Sequence, residues 1–423
     1  MQPALKVGDR AAEAGPRRSA ITRVLYVANV RLPTEQAHGH AIVRMCEGLA
    51  GAGAEVELWH SRDNGDATRS VFEFYSARPS FAVRKIANVD VIPLERWLPP
   101  AAMRYLTGAQ AATWAWYSAR LASGRGAQLY LTRDLWSAWW LTGRGLPVVV
   151  EIHIPPEGPT RRLLPLLGRR PSLVSAVALT EGGREKLVAA GLPRRRVEVL
   201  RSGVDVSAYS GLASRSECRR RCGLPATRPI VGYVGRFRTV GLEKGIPELI
   251  RAVGRLRSRP GPAPLLVCVG GPAAPVAGYR ALAAECGLDP DSVVFHDRVP
   301  SAEVPIWIGA LDVAVVPTPA AAHFADYASP LKIPEYLAAG TPIVATDLPA
   351  HREVLTHART AWLVKPGSPD ALAEGISTLL ADPGRRVEMA SQARAAAGAF
   401  DWRRRAERML ALVPAGPAGS VRH

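Results

Sequence analysis

Two doubly wound α/β domains facing each other across a cleft are what the sequence predicts, on three observations. Strand-like apolar runs alternate with helix-like segments from residue 21 onward. That order argues for parallel sheets with helices on their faces. The pattern then restarts near residue 228, with a second apolar run that ends on glycine, "RPIVGYVGRF". The chain has 423 residues, more than the ~250–300 that a single core fills.

Taken in order, "ITRVLYVANV" (21–30) reads as a buried first strand. A polar loop follows, then a helix around "AIVRMCEGLAGAG" and a second strand, "AEVELWH". After a tryptophan-rich middle, "AQLYLTR", "LPVVVEIHI", "SLVSAVALT" and "VEVLRSGVD" read as later strands. "EGGREKLVAAGLP" is a helix closed by a glycine stop. In the second half, "RPIVGYVGRF", "APLLVCVGGP", "SVVFHDRV", "LDVAVVPTP", "TPIVAT" and "TAWLV" are strands, and long helices close the chain.

The resulting division is a disordered extension (1–20), an N-terminal Rossmann-like domain (21–205), a linker (206–227) and a C-terminal Rossmann-like domain (228–395). A helix over 396–415, a candidate to cross back to the first domain, and a disordered tail (416–423) follow. In doubly wound sheets ligands sit outside the carboxyl ends of the strands. Two such halves place the site between them.

Composition narrows the function. Apolar residues make up 48% and charged ones 22% of the chain, the ordinary globular range. Cys46, Cys218, Cys222, Cys268 and Cys286 are too scattered for a disulfide framework or a zinc site. No apolar run of 18 residues spans a bilayer, and the first 20 residues lack the apolar core of a secretory signal. A cytoplasmic protein, placed by its basic charge at the inner face of a membrane, is the expectation. The formal net charge is +17, and residues 161–228 carry fifteen Lys/Arg against five Asp/Glu. That segment lacks any nucleic-acid-binding signature, so it reads as a solvated basic face or as a contact with an anionic membrane.

Four stretches carry chemistry. In "VGRFRTVGLEKG" a strand runs into Gly235 and Arg236, then a loop leads to Lys244 and Gly245 before a helix. Glycines let the backbone approach a ligand, and the two cations with a helix N-terminus suit a diphosphate. In "YASPLKIPEYLAAG", Pro330 restricts Ser329 and sets the helix start, and Pro334 falls in the first turn. The N–H groups from Leu331 onward and the Lys332 charge then face the cleft, with Glu335 close enough to accept a pair of ribose hydroxyls. "EIHIPPEGP" sets His153 at a strand end, and "RLPTEQAHGHA" sets Gly39 between two histidines in a cleft-lining loop.

In this ordered combination the chain resembles a GT-B glycosyltransferase of the large retaining family 4, over roughly residues 21–410. The family's Gly-Arg…Lys-Gly loop, acid-x7-acid motif and G-T-P-V-V-A run correspond to "GRFRTVGLEKG", "YASPLKIPEYLAAG" and "GTPIVAT". The resemblance implies transfer of a sugar from a UDP- or GDP-sugar to an acceptor hydroxyl with retention, without cofactor or essential metal. It implies that Arg236 and Lys244 hold the diphosphate, that Glu335 binds the ribose, and that His153 lies against the transferred sugar. Gly39 would approach the donor, and the N-terminal domain would take a saccharide, lipid-linked or small-molecule acceptor. The sequence departs from the family in two places. Tyr327 stands where the first acid is usual, which makes it a candidate sugar contact. The Arg–Lys spacing is three residues longer than the commonest form. Both departures resemble a sub-branch with an SPLK…EY motif. The competing readings are an epimerase on the same fold and a non-catalytic sugar-nucleotide-binding protein.

Overall fold

The computed structural model describes residues 22–413 apart from 63–68, 90, 240, 260, 328 and 330. The expected 1–20 extension, the 416–423 tail and Pro330 lie outside the described residues. Two parallel sheets are present, each the centre of one half.

The first sheet is made by β1 (Arg23–Arg31), β2 (Glu55–Arg62), β3 (Ala82–Lys85), β4 (Leu129–Thr132), β5 (Val148–Glu151), β6 (Leu173–Ala178) and β7 (Val197–Val199). Its order is β3-β2-β1-β4-β5-β6-β7, and each pairing is parallel. β1 shows why its sequence is a continuous apolar run. Val24, Tyr26 and Ala28 join the core on one face while Leu25 and Val27 join the core on the other. A strand buried on both sides has no polar face to alternate with.

The second sheet contains β8 (Ile230–Val234), β11 (Leu265–Val269), β12 (Val293–His296), β13 (Val313–Val316), β14 (Ile343–Thr346) and β15 (Trp362–Val364), in the order β12-β11-β8-β13-β14-β15. Between β8 and the next helix lies a small antiparallel hairpin, β9 (Arg238–Thr239) with β10 (Leu242–Glu243). Strand order reverses between β1 and β4 in one sheet and between β8 and β13 in the other. These are the crevices where doubly wound sheets bind ligands.

Segment 206–227 is folded onto the second half. Its Arg215–Arg221 helix buries Arg219, which pairs with Asp312 and donates from Nε to the Ala310 carbonyl at 3.0 Å. Among the described residues the chain crosses between the halves near Val204 and again near Phe400–Trp402, and these crossings lie side by side. Val204 N–H donates to the Phe400 carbonyl at 2.8 Å and Trp402 N–H donates to the Val204 carbonyl at 3.1 Å. The final helix, Trp402–Leu410, then seats Trp402, Ala406 and Met409 in the core beneath the Ala37–Gly51 helix of the first half.

Candidate active site

Between the two sheets lies a cleft of about 920 Å³. It is lined by His153, Gly235, Arg236, Lys244, Tyr327, Ser329, Leu331, Lys332 and Glu335. The cleft thus brings together every site residue read from the sequence except Gly39. That glycine sits behind the lining, where an added Cβ would run into the Tyr75 hydroxyl and come within 2.6 Å of Thr34. Its neighbours His38 and His40 reach the cleft instead.

On the C-terminal side, the loop after β8 is shaped by two glycines. Gly235 has φ +149°, and a Cβ there would meet Lys332 Cε at 2.9 Å. Gly245 has φ +86°, and a Cβ would collide with the Pro317 carbonyl. Side chains are disfavoured at both, on conformation and on space. The β9–β10 hairpin absorbs the long Arg–Lys spacing and returns Lys244 N–H to the Phe237 carbonyl at 3.0 Å. Tyr279 Oη donates to Glu243 at 2.7 Å, which braces that hairpin.

The Lys332–Ala339 helix brings the third cation. Its Tyr336 hydroxyl accepts from Val234 N–H at 2.8 Å and donates to the Val234 carbonyl at 3.1 Å, locking the helix to the end of β8. Lys332 is buried, with Nζ 4.8 Å from the Tyr233 ring centre. Burial, and next the Lys244 charge, hold Lys332 well below the usual lysine range, while Glu335 opposes them. Burial, and then Arg236, lower Lys244 to about 8 against a hydrogen bond with Lys332. Burial raises Glu335 to about 7, with Lys332 pulling it down. Arg236 Nε is buried without a hydrogen-bond partner. Three cations therefore converge on one cleft beside a single desolvated carboxyl.

Tyr327 lies in a π-helical turn, His323–Tyr327, docked on the first half. Thr180 donates to the Asp326 carbonyl at 2.6 Å, Lys186 pairs with Asp326 at 2.8 Å, and its Nζ stands 4.8 Å from the Tyr327 ring centre. Ser202 N–H donates to Ser329 Oγ at 3.3 Å.

The N-terminal side is organised around His153, and sequence reasoning missed most of it. Arg133, at the end of β4, donates to His153 Nδ1 at 2.5 Å and to the His38 carbonyl at 3.2 Å. His153 Nε2 faces Glu151 Oε1, and the other oxygen of Glu151 accepts from Arg405 at 2.7 Å. Burial, then Arg133, lower His153 to about 4 despite Glu151. Burial pushes Glu151 up, but Arg405 and then His153 outweigh it and hold the carboxyl well below its usual range. Among the described residues no group of three or more His, Cys, Asp and Glu is placed to hold a metal ion. Among the described residues no helix is long and apolar enough to cross a membrane.

Residues 228–382 match the family model described as glycosyl transferases group 1. The matched stretch contains Gly235, Arg236, Lys244, Lys332 and Glu335. Two relatives are proteins named D-inositol 3-phosphate glycosyltransferase. One, from Xylanimonas cellulosilytica, is 34% identical over 55% of this chain and 55% of its own length. The other, from Thermobispora bispora, is 28% identical over 93% of this chain and 94% of its own. The chain thus spans about half the length of the first relative and nearly all of the second.

Among solved structures, Anabaena Alr3699/HepE in complex with UDP superposes with a TM-score of 0.71 at 18% identity, covering 92% of this chain and 99% of that one. Sucrose-phosphate synthase from Thermosynechococcus elongatus gives 0.71 at 19%, covering 92% and 98%. Both likenesses show the fold, which is GT-B.

Proposed function

We propose that the protein is a retaining glycosyltransferase of family 4 that moves a sugar from a UDP- or GDP-sugar to an acceptor hydroxyl. The observation that carries this reading is the convergence of Arg236, Lys244 and Lys332 on the cleft beside Glu335, with glycine backbone on the same wall. Burial, and then the neighbouring positive charge, hold Lys244 and Lys332 below the ordinary lysine range, a penalty that an anion bound among them relieves. A diphosphate supplies that anion. As the sugar leaves, negative charge grows on the β-phosphate, and preformed cations stabilise it without reorganising.

In this reading Lys244 and Arg236 meet the phosphates and Glu335, in its ionised form, accepts the ribose hydroxyls. His153 is neutral and faces the sugar from the opposite wall. Retention follows a front-face route, in which the acceptor attacks from the side the nucleotide leaves, and the cations do the work of a metal. Names of relatives that act on inositol 3-phosphate and a neighbour solved with UDP support a nucleotide donor and a polyol or saccharide acceptor.

The reading includes a peripheral contact at the inner face of an anionic membrane through 161–228. Many arginines there are used internally: Arg170 donates to the Thr142 hydroxyl, Arg196 to the Leu173 carbonyl, and Arg219 pairs with Asp312. Exposed Arg162 and Arg169, next to exposed Leu166, and exposed Arg195 belong to the part left to face lipid phosphates.

The test is release of UDP or GDP from a panel of nucleotide sugars. Wild-type release that disappears in both Lys244→Ala and Glu335→Ala supports the assignment. Full release in both variants overturns it.

A further inference from the structure

The imidazole of His153 is neutral, so one ring nitrogen carries the hydrogen and the other accepts. Arg133 has only donors to offer, and it meets Nδ1. The hydrogen must therefore sit on Nε2 and point at Glu151. This orientation depends on Glu151 staying ionised while buried at the end of β5. A buried carboxylate without a cation takes up a proton. Protonated, it would donate to Nε2 and drive the hydrogen to Nδ1, directly against Arg133.

Two cations prevent this: Arg133, whose Nε lies 3.9 Å from Glu151 Oε1, and, closer at 2.7 Å, Arg405, 254 residues away on the final helix. Arg405 is buried, and each of its three nitrogens is engaged. Its Nε donates to the Arg201 carbonyl at 2.9 Å, one terminal nitrogen reaches Glu151 and the Leu200 carbonyl, and the other lies 3.2 Å from Met45 Sδ. It thus ties the ends of β5 and β7 to the helix beneath the cleft. Arg201 continues the chain of contacts to Glu353 of the other half, at 2.9 Å.

We propose that Arg405 is a positioning residue, which fixes the tautomer and aim of His153 through Glu151 and so makes the seating of the last helix a condition for a working cleft. The inference rests on the glycosyltransferase reading for its kinetic consequence, but its structural half stands alone.

The test uses the full chain with ¹⁵N-labelled histidine, in wild type, Arg405→Gln, Arg405→Lys, Glu151→Gln and the Arg405→Gln/Glu151→Gln pair. The His153 resonances are assigned by their loss in His153→Asn. In the folded Arg405→Gln variant the ring hydrogen should move from Nε2 to Nδ1. kcat should fall about 10–100-fold, the cost common for groups that orient a site ligand, with donor KM unchanged. Arg405→Lys keeps the charge and should recover part of kcat. The double variant should be no slower than the slower single, because the two act as one unit. If Arg405→Gln does not fold, the comparison of Glu151→Gln with Arg405→Lys decides: both should slow kcat at unchanged donor KM. An unchanged tautomer in folded Arg405→Gln, additive losses, or wild-type kcat in Glu151→Gln and Arg405→Lys would overturn the proposal. Should no nucleotide sugar be turned over, the glycosyltransferase reading falls while the tautomer measurement still decides the role of Arg405.

Discussion

On the C-terminal side of the cleft, Arg236, Lys244 and Lys332 crowd around Glu335 and stay undercompensated. On the N-terminal side, Arg133, His153, Glu151 and Arg405 form a continuous run of hydrogen bonds, with the Glu151 carboxylate between two guanidinium groups. Both walls sit at the carboxyl ends of strands of a parallel sheet, with a helix contributing to each, so the difference lies in how their polar groups are engaged. An undercompensated wall stores an attraction for an arriving anion. The N-terminal wall, whose polar groups are engaged with one another, offers a fixed geometry instead. The first suits binding and the second suits orientation.

The contrast is broken most severely by Glu151→Ala, which leaves Arg405 buried without its carboxylate. Loss of one partner from a buried pair costs about 3–5 kcal/mol, and urea unfolding should register it. Lys244→Ala should leave stability unchanged or raised, because it relieves repulsion, yet lower kcat/KM by about 10²–10³-fold, as for removal of a group that stabilises developing charge.

Next comes pH. Glu335 titrates near 7 in the folded, ligand-free chain and near about 4.3 when unfolded. Its folded pKa is the higher, so its contribution is full below about 4.3 and is lost as pH rises through 7. Denaturation at pH 5 and pH 8 should show this decline, and Glu335→Gln should flatten it. Lys244 works in the opposite sense on the donor. Binding of a diphosphate favours its charged form, so titration calorimetry should find donor affinity falling as pH rises through about 8. Tyr336→Phe deprives Val234 of its buried partner and should cost about 1–3 kcal/mol in urea unfolding. Arg194→Ala removes an exposed pair with Glu185 and should change stability by about 0–1 kcal/mol, the baseline for the others.

The same contrast explains what could be read from the chain. The C-terminal wall was legible because its parts are close in sequence and constrained in backbone. Gly235 and Gly245 require unusual φ values, and Lys332 and Glu335 share one helical turn. Arg405 carries no such mark. It is one of 54 basic residues, and its meaning lies in a partner 254 positions away. Arg133 ended a strand that was recognised, but only the sheet order reveals that β4 flanks the crevice. β3 escaped because it lies at the sheet edge and its residues are mostly exposed, which leaves little apolar pattern to see. The Pro100–Ala122 helix also went unrecognised as one element, since its apolar residues are spread around its circumference. The linker reading of 206–227 followed from the restart of the strand pattern near residue 228, and the buried Arg219–Asp312 pair that anchors the segment is another contact between distant positions.

The paired crossings at Val204 and Phe400–Trp402 have a mechanical meaning. Two bodies tethered by one strand can swivel in any direction, whereas two tethers bonded to each other act as a single short axle. The freedom left to the halves is a swing about that line, with sliding and twisting suppressed. Because Trp402 begins the helix that carries Arg405, the axle and the support of His153 are one piece of chain.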